Sequence, residues 1–252
     1  MVPKLNELQE KYGEQGLVIV GVTNESASLV ESSISSTNAN YPIGMVTGGS
    51  ADGAYGVSGF PTVVLVGPDG EVLSNKERHP EAAIVEALKR VVLIPSLEGK
   101  QYSSINKALD KKDLGKAWKS IVAMLEKNPA DEQLAATKES IEKTFGSRFD
   151  SAVAAVEKGA YGGAVESLDK LASRFKGYTR ASEASDMIKA IKKNPDAKDD
   201  LKAHGLLRKA KAEFAKGKKA SREKGQGLCE KIVKSYPKTP TAEKARAMLR
   251  SA

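Results

Sequence analysis

Apolar and polar positions change rhythm once along this chain, near residue 100. Before that point helix-period and strand-like stretches alternate. In residues 3–15, Leu5, Leu8 and Tyr12 fall at helical spacing, and Gly13 and Gly16 end the pattern. Leu17-Val18-Ile19-Val20-Gly21-Val22 follows without a polar break, which predicts a strand buried on both faces of a parallel sheet. Residues 25–37 predict a second helix, a weak one, because its serines compete for backbone hydrogen bonds. Tyr41-Pro42-Ile43-Gly44-Met45-Val46 reads as a short strand, and a Gly-rich loop fills 47–53. Thr62-Val63-Val64-Leu65-Val66 is a strand entered through Phe60-Pro61. It is closed by a Pro68-Asp69-Gly70 turn onto a hairpin partner beginning Glu71-Val72-Leu73. Residues 80–92 predict a helix with Ala83, Ile84, Ala87, Leu88 and Val91 on one side.

After the connecting Ile94-Pro95-Ser96-Leu97-Glu98-Gly99, prolines and glycines thin out and helical spacing takes over. Three imperfect units align. The first holds Leu114-Gly115-Lys116-Ala117-Trp118, Ile121, Met124 and Leu125. The second holds Tyr161-Gly162-Gly163-Ala164-Val165, Leu168 and Leu171. The third holds Phe214, Leu228, Ile232 and Tyr236-Pro237-Lys238-Thr239-Pro240-Thr241-Ala242. Ala117 to Ala164 and Met124 to Leu171 are both steps of 47 residues. A small residue after a glycine, with apolar positions three and four further on, suits close-packed antiparallel helices. The closing Tyr-Pro-x-Thr-Pro-x-Ala step resembles tetratricopeptide-like repeats, here degenerate against their usual ~34-residue period. Such a stack implies a protein partner on its surface.

Charge divides the chain at the same place. The formal charge is +8 over 252 residues; residues 1–92 carry six Lys/Arg against eleven Asp/Glu, net −5, and the remainder 34 against 21, net +13. The lysines of the basic half alternate with Glu and Asp and lack aromatic neighbours for base stacking, so they read as solvated helix faces. Nucleic-acid binding is the weakest reading, and no nucleic acid is expected as a partner. No window reaches the ~18 apolar residues of a membrane span. Met1-Val2-Pro3-Lys4 leads into a helical pattern, not the apolar block of an export signal. One cysteine, Cys229, excludes an internal disulfide and a Cys-based zinc site, so compartment is not legible from cysteine usage.

Phe60-Pro61-Thr62 is the strongest chemical signal. Proline cannot donate to a ladder and belongs at a strand's first position, where an X-Pro bond can also be cis. The order of elements around it, helix, strand, helix, strand, Pro61 strand, hairpin strand, helix, resembles the later part of thioredoxin-like thiol-disulfide oxidoreductases of the TlpA/ResA type. The resemblance covers residues 1 to about 92. It implies that Phe60 and Pro61 form a cis-proline loop that binds a protein or peptide substrate by strand addition. Phe60 departs from the family's commoner small or β-branched residue. The opening helix matches the one that follows the redox Cys-x-x-Cys, whose second cysteine would fall about two positions before Met1. This chain therefore holds no catalytic residue of that family. The central strand, which would lie between residues 17–22 and 62–66, is also missing. Either those two strands pair directly or the chain is amino-terminally truncated, and truncation is the expected case. The resemblance implies a periplasmic or envelope location.

Other candidates reduce to structure. Cys229, with Ile232 and Val233 on its helix face, reads as core. His79 and His204 stand alone, without a second ligand at helical spacing. The Gly48-Gly49-Ser50-Ala51-Asp52-Gly53 loop lacks the Gly-Lys-Ser/Thr ending of a phosphate loop. Lys216, Lys218, Lys219, Arg222 and Lys224 read as a charged connection between helices. No cofactor or metal is implied. The expected architecture is an α/β thioredoxin-like domain at 1–93, incomplete for want of its central strand, a linker at 94–100, and an all-α tetratricopeptide-like domain at 101–252. The expected function is a thiol-disulfide oxidoreductase-family protein without its dithiol, carrying a helical partner-binding domain. The alternative is a non-catalytic scaffold of the same parts.

Overall fold

The computed structural model describes residues 1–46, 55, 57, 59–68, 70, 72–76, 81–216 and 218–250. The Gly-rich loop at 47–53, Asp69 and His79 lie outside the described residues. The chain divides into two compact units. One comprises Met1–Val91, Leu206–Pro237 and Ala242–Ala252, and the other Val92–Gly205 and Lys238–Thr241.

The first unit opens with helix α1 (Val2–Tyr12), its Pro3 in the first turn, where a missing N–H costs nothing. Then come β1 (Gly21–Thr23), α2 (Ala27–Thr37), β2 (Ile43–Met45), β3 (Val63–Val66), β4 (Val72–Lys76) and α3 (Glu81–Leu88). Strand β1 pairs in parallel with β2, Gly21 opposite Ile43, while β3 pairs antiparallel with β4, Val63 opposite Lys76. Among the described residues these remain two separate two-stranded sheets. A small core lies between α1, α3, β3 and the stretch before β1: Leu8, Tyr12 and Ile84 are buried, with Leu5, Leu17, Ile19, Leu65 and Leu88 packed against them. Glu81, at the start of α3, accepts from Lys11 Nζ at 2.7 Å and from the Tyr12 hydroxyl at 2.6 Å. Lys11 first, then Tyr12, hold its carboxyl down to about 2.

The same unit includes the end of α9 (Lys198–Phe214), α10 (Lys219–Ser235) and most of α11 (Pro240–Arg250). A Cβ on Gly225 would stand 3.0 Å from the Phe214 ring, so the glycine lets these helices close. Cys229 and Ile232 are fully buried.

In the second unit α4 (Ser103–Asp110), α5 (Leu114–Leu125), α6 (Glu132–Glu157), α7 (Tyr161–Arg174) and α8 (Ala181–Lys193) pack each on the next. Asp113 and Asp131 cap α5 and α6 by accepting from the backbone N–H of Lys116 and Leu134. Leu97, in the stretch between the two sequence rhythms, is buried, and Asn106 bonds both its N–H and its C=O. Phe145 anchors the core, its ring 5.2 Å from Phe175 and 5.0 Å from Tyr178. Trp118 meets Tyr178 edge-on and donates its indole N–H to Glu142 at 2.9 Å.

The 47-residue step has a steric cause. A Cβ on Gly115 would stand 2.4 Å from the carbonyl oxygen of Lys176, and one on Gly162 would stand 2.2 Å from the Cβ of His204. Both glycines lie in the first turn of a helix, α5 and α7, and both admit a neighbouring segment at a distance no side chain allows. Beside Gly162 sits Asp200, 2 % exposed. Its carboxylate accepts from the Gly162 N–H at 2.8 Å and from the Thr241 N–H at 3.1 Å. Helix α7 has no side-chain cap from its own N-cap residue, Ala160. One buried carboxylate thus serves the first turns of both α7 and α11, satisfying donors that would otherwise be orphaned.

Replacing Asp200 with alanine leaves both N–H groups without their acceptor and is expected to cost about 2–5 kcal/mol. Asp200→Asn, which keeps one acceptor oxygen, is expected to cost less. Urea unfolding of the two variants beside the parent chain measures both values.

Candidate functional site

The segment entering β3 is short and shaped by local bonds. Phe60 is 73% exposed, the Phe60–Pro61 peptide bond is cis, and the Thr62 hydroxyl donates to the Gly59 carbonyl at 2.6 Å. From this loop β3 runs inward until Leu65 reaches the core shared with α1 and α3. The loop therefore stands on a strand anchored by packing, with an aromatic ring held out in solvent. An extended peptide could lie along such a loop with that ring as its apolar contact.

The neighbouring strand corrects an expectation. Residues 17–22 are not doubly buried: Val18, Val20 and Val22 are 74%, 54% and 50% exposed. Leu17 and Ile19 alternate with them and face the core, so the run has strand period with only one face covered. The physical reason is that no described strand pairs with its second edge. The Gly21 N–H bonds Pro42 O at 2.9 Å, and the Thr23 carbonyl receives the Val46 N–H at 2.8 Å. In a parallel ladder the residue between, Val22, points its backbone the other way, as does Val20. Among the described residues neither finds a partner on that side. Strands β1 and β3 also do not pair directly, since they belong to different sheets.

Before β1 begins, a side chain substitutes for the ladder. Gln9 accepts from the Ile19 N–H at 2.8 Å and donates to the Leu17 carbonyl at 3.3 Å. Helix α2 covers little: it has no buried residue, and Leu29 is 57% exposed. Among the described residues every large exposed apolar side chain falls at or before Leu93. Uncovered apolar surface is thus concentrated in the part of the chain that carries the two small sheets.

The other sequence candidates do not join this loop into a reactive centre. Cys229 is fully buried, and burial, with a smaller effect from Glu230, pushes its thiol up to about 11. It is protonated and enclosed at neutral pH, the opposite of a nucleophilic thiolate. His204 lies 2.9 Å from Glu166, which also pairs with Lys170 at 2.7 Å. Lys170 and then His204 hold the Glu166 carboxyl down to about 2. The described residues include no group of three His, Cys, Asp or Glu placed to hold a metal ion, and no helix among them is long and apolar enough to cross a membrane. Two residues that matter here carried no sequence signal: Gln9 is one polar residue on a helix, and Asp200 is one acid in Asp-Asp.

With this geometry in view, part of the chain is similar to thioredoxin-like thiol-disulfide oxidoreductases. Over 92 residues, 36% of this chain, it is 29% identical to the thiol-disulfide oxidoreductase ResA of Bacillus thuringiensis subsp. konkukian. ResA of Bacillus cereus gives the same figures, and ResA of Bacillus anthracis is 32% identical over 75 residues, 29% of this chain. The chain spans 53% of the length of the first two relatives and 43% of the third. No family model matches the chain, and no solved structure does.

The state of Cys229 is directly measurable. In native buffer it is expected to react with a disulfide reagent such as Ellman's at least about a hundredfold more slowly than in 6 M guanidinium, where its thiol regains an ordinary pKa. Rapid native labelling would contradict its burial.

Proposed function

We propose that this chain is a thioredoxin-like protein of the thiol-disulfide oxidoreductase class. In this reading the Phe60–Pro61 loop receives an extended protein or peptide substrate, and the helical half holds a protein partner. The observation that carries the reading is the exposed Phe60 ring at the head of a packed strand, in a chain partly similar to ResA. The substrate backbone pairs along the loop, and Phe60 supplies an apolar contact that the ladder alone lacks. The chain as it stands supplies no electrons. Its one thiol is buried and protonated, and disulfide exchange needs a thiolate to attack and a second thiol to resolve the mixed disulfide. The resemblance also favours a cell-envelope setting for this chemistry.

That same thiol favours the second reading, a non-catalytic scaffold that keeps the peptide-docking loop without redox turnover. Both readings require docking at Phe60, so one titration tests their shared core. Adding an uncharged, extended cysteine-containing peptide to isotope-labelled chain is expected to shift the amide signals of Phe60 and Thr62. Phe60→Ala is expected to weaken that binding about tenfold, the scale of removing an aromatic anchor. An unchanged affinity in the variant, or shifts confined to other residues, would reject the loop as a docking site. In the same preparation catalytic reduction of insulin disulfides is expected to be absent, and measurable turnover would show a dithiol chemistry this reading denies.

A further inference from the structure

A groove in the second unit concentrates positive charge. It lies between the α4–α5 connection with the first turn of α5 and the end of α7 with the residues that follow. Six cations line it: Lys111, Lys112, Lys116, Lys119, Arg174 and Lys176. The only carboxylate in the lining, Asp113, already accepts the Lys116 backbone N–H as the cap of α5. None of the six side chains makes an ion pair among the described residues, although Lys138, Lys170 and Lys189 in the same unit pair with acids one turn away.

Two glycines bring the segments together. Gly115 packs on the Lys176 backbone, where a Cβ would stand 2.4 Å from its carbonyl oxygen. Gly177, at φ +95°, lies under the Lys119 side chain, where a Cβ would stand 2.4 Å from Cε. The positive φ favours glycine there. The end of the Lys119 side chain, Nζ included, thus lies against Gly177 in the groove lining. Holding six like charges along one groove is unfavourable unless an anion offsets them.

From this arrangement we propose that the groove binds an acidic, extended protein segment. The inference rests on the reading of the helical half as a partner surface and assigns that surface its chemistry. The groove is open to solvent and offers about 740 Å³, more than one small anion fills, which favours a chain bearing several charges. Five of the six cations are lysines, which present point charges to carboxylates spaced along a peptide and lack the planar fork that Arg offers a phosphate. The lining holds no aromatic ring, so bases would find nothing to stack on. With the large exposed apolar side chains all at or before Leu93 among the described residues, the groove also lacks an apolar flank to insert into a lipid surface.

Fluorescence anisotropy of the full chain with a labelled peptide of about twelve alternating Glu and Ser residues tests this directly. At ~3.3 Å per residue such a peptide reaches about 40 Å when extended. Binding is expected at low salt and is expected to fall as NaCl is raised past ~150 mM, where charges are screened beyond ~8 Å. Reversing Lys111, Lys116 and Lys176 together to Glu is expected to weaken it at least about tenfold. Reversing three exposed lysines elsewhere in the unit, Lys143, Lys158 and Lys192, is expected to change it less than about threefold. If the first triple fails to fold by circular dichroism, the glutamine version of the same three positions carries the test, with a smaller loss in the same direction.

Equal losses in both triples, or no binding by the parent chain, would overturn the groove as the site. Tighter binding of a DNA duplex matched in charge, lost in the groove triple, would overturn the acidic-peptide assignment. Either failure leaves the docking of peptides at Phe60 to be judged by its own titration.

Discussion

A strand buried in a sheet must satisfy its backbone on both edges, and the first ninety residues are shaped by the failure of that condition at β1. The Gly21 and Thr23 groups meet β2, whereas those of Val20 and Val22 point to an edge where no described residue answers. Burying such unpaired amides and carbonyls would cost more than the exposed valines would gain. The run therefore stays half exposed, the two sheets remain apart, and the core contracts to the cluster around Leu8, Tyr12 and Ile84. The Gln9 amide, taking the Ile19 N–H and serving the Leu17 carbonyl, shows the same demand met locally by a side chain.

The helical half obeys a steric rule instead. Gly115 and Gly162 allow contacts that no Cβ permits, and Asp200 supplies in one buried carboxylate the cap that α7 lacks. The second unit's core is aromatic around Phe145, where Trp118, Phe149, Phe175 and Tyr178 form a chain of ring contacts with it. The two halves of the chain thus differ in kind as well as in charge. One leaves apolar surface open around a sheet edge, and the other encloses its apolar surface and exposes cations.

Much of this was legible from local pattern, because local pattern determines it. Leu5, Leu8 and Tyr12 set α1, and the Pro61 entry set the start of β3. The 47-residue recurrence marked the close-packed first turns of α5 and α7, and the neighbours of Cys229 marked it as core. What escaped the sequence depends on contacts distant in the chain. An unbroken apolar run says that a strand prefers burial on both faces, but not whether a neighbour exists to allow it, so the exposure of Val18, Val20 and Val22 is not legible in the run itself. Asp200 bridges residues 38 and 41 positions away. The groove cations come from two stretches some sixty residues apart, and each stretch alone resembles an ordinary solvated helix end. Phe60 and Pro61, legible in the sequence as a strand entry, stand at the head of β3.

Amide hydrogen exchange resolved by residue tests the open edge most directly. Slow exchange is expected for Gly21 and Val46, whose N–H groups bond Pro42 and Thr23, and exchange about tenfold faster or more for Val20 and Val22. Protection of Val20 and Val22 equal to that of Gly21 would mean that the second edge of β1 is paired, and would contradict an open edge there.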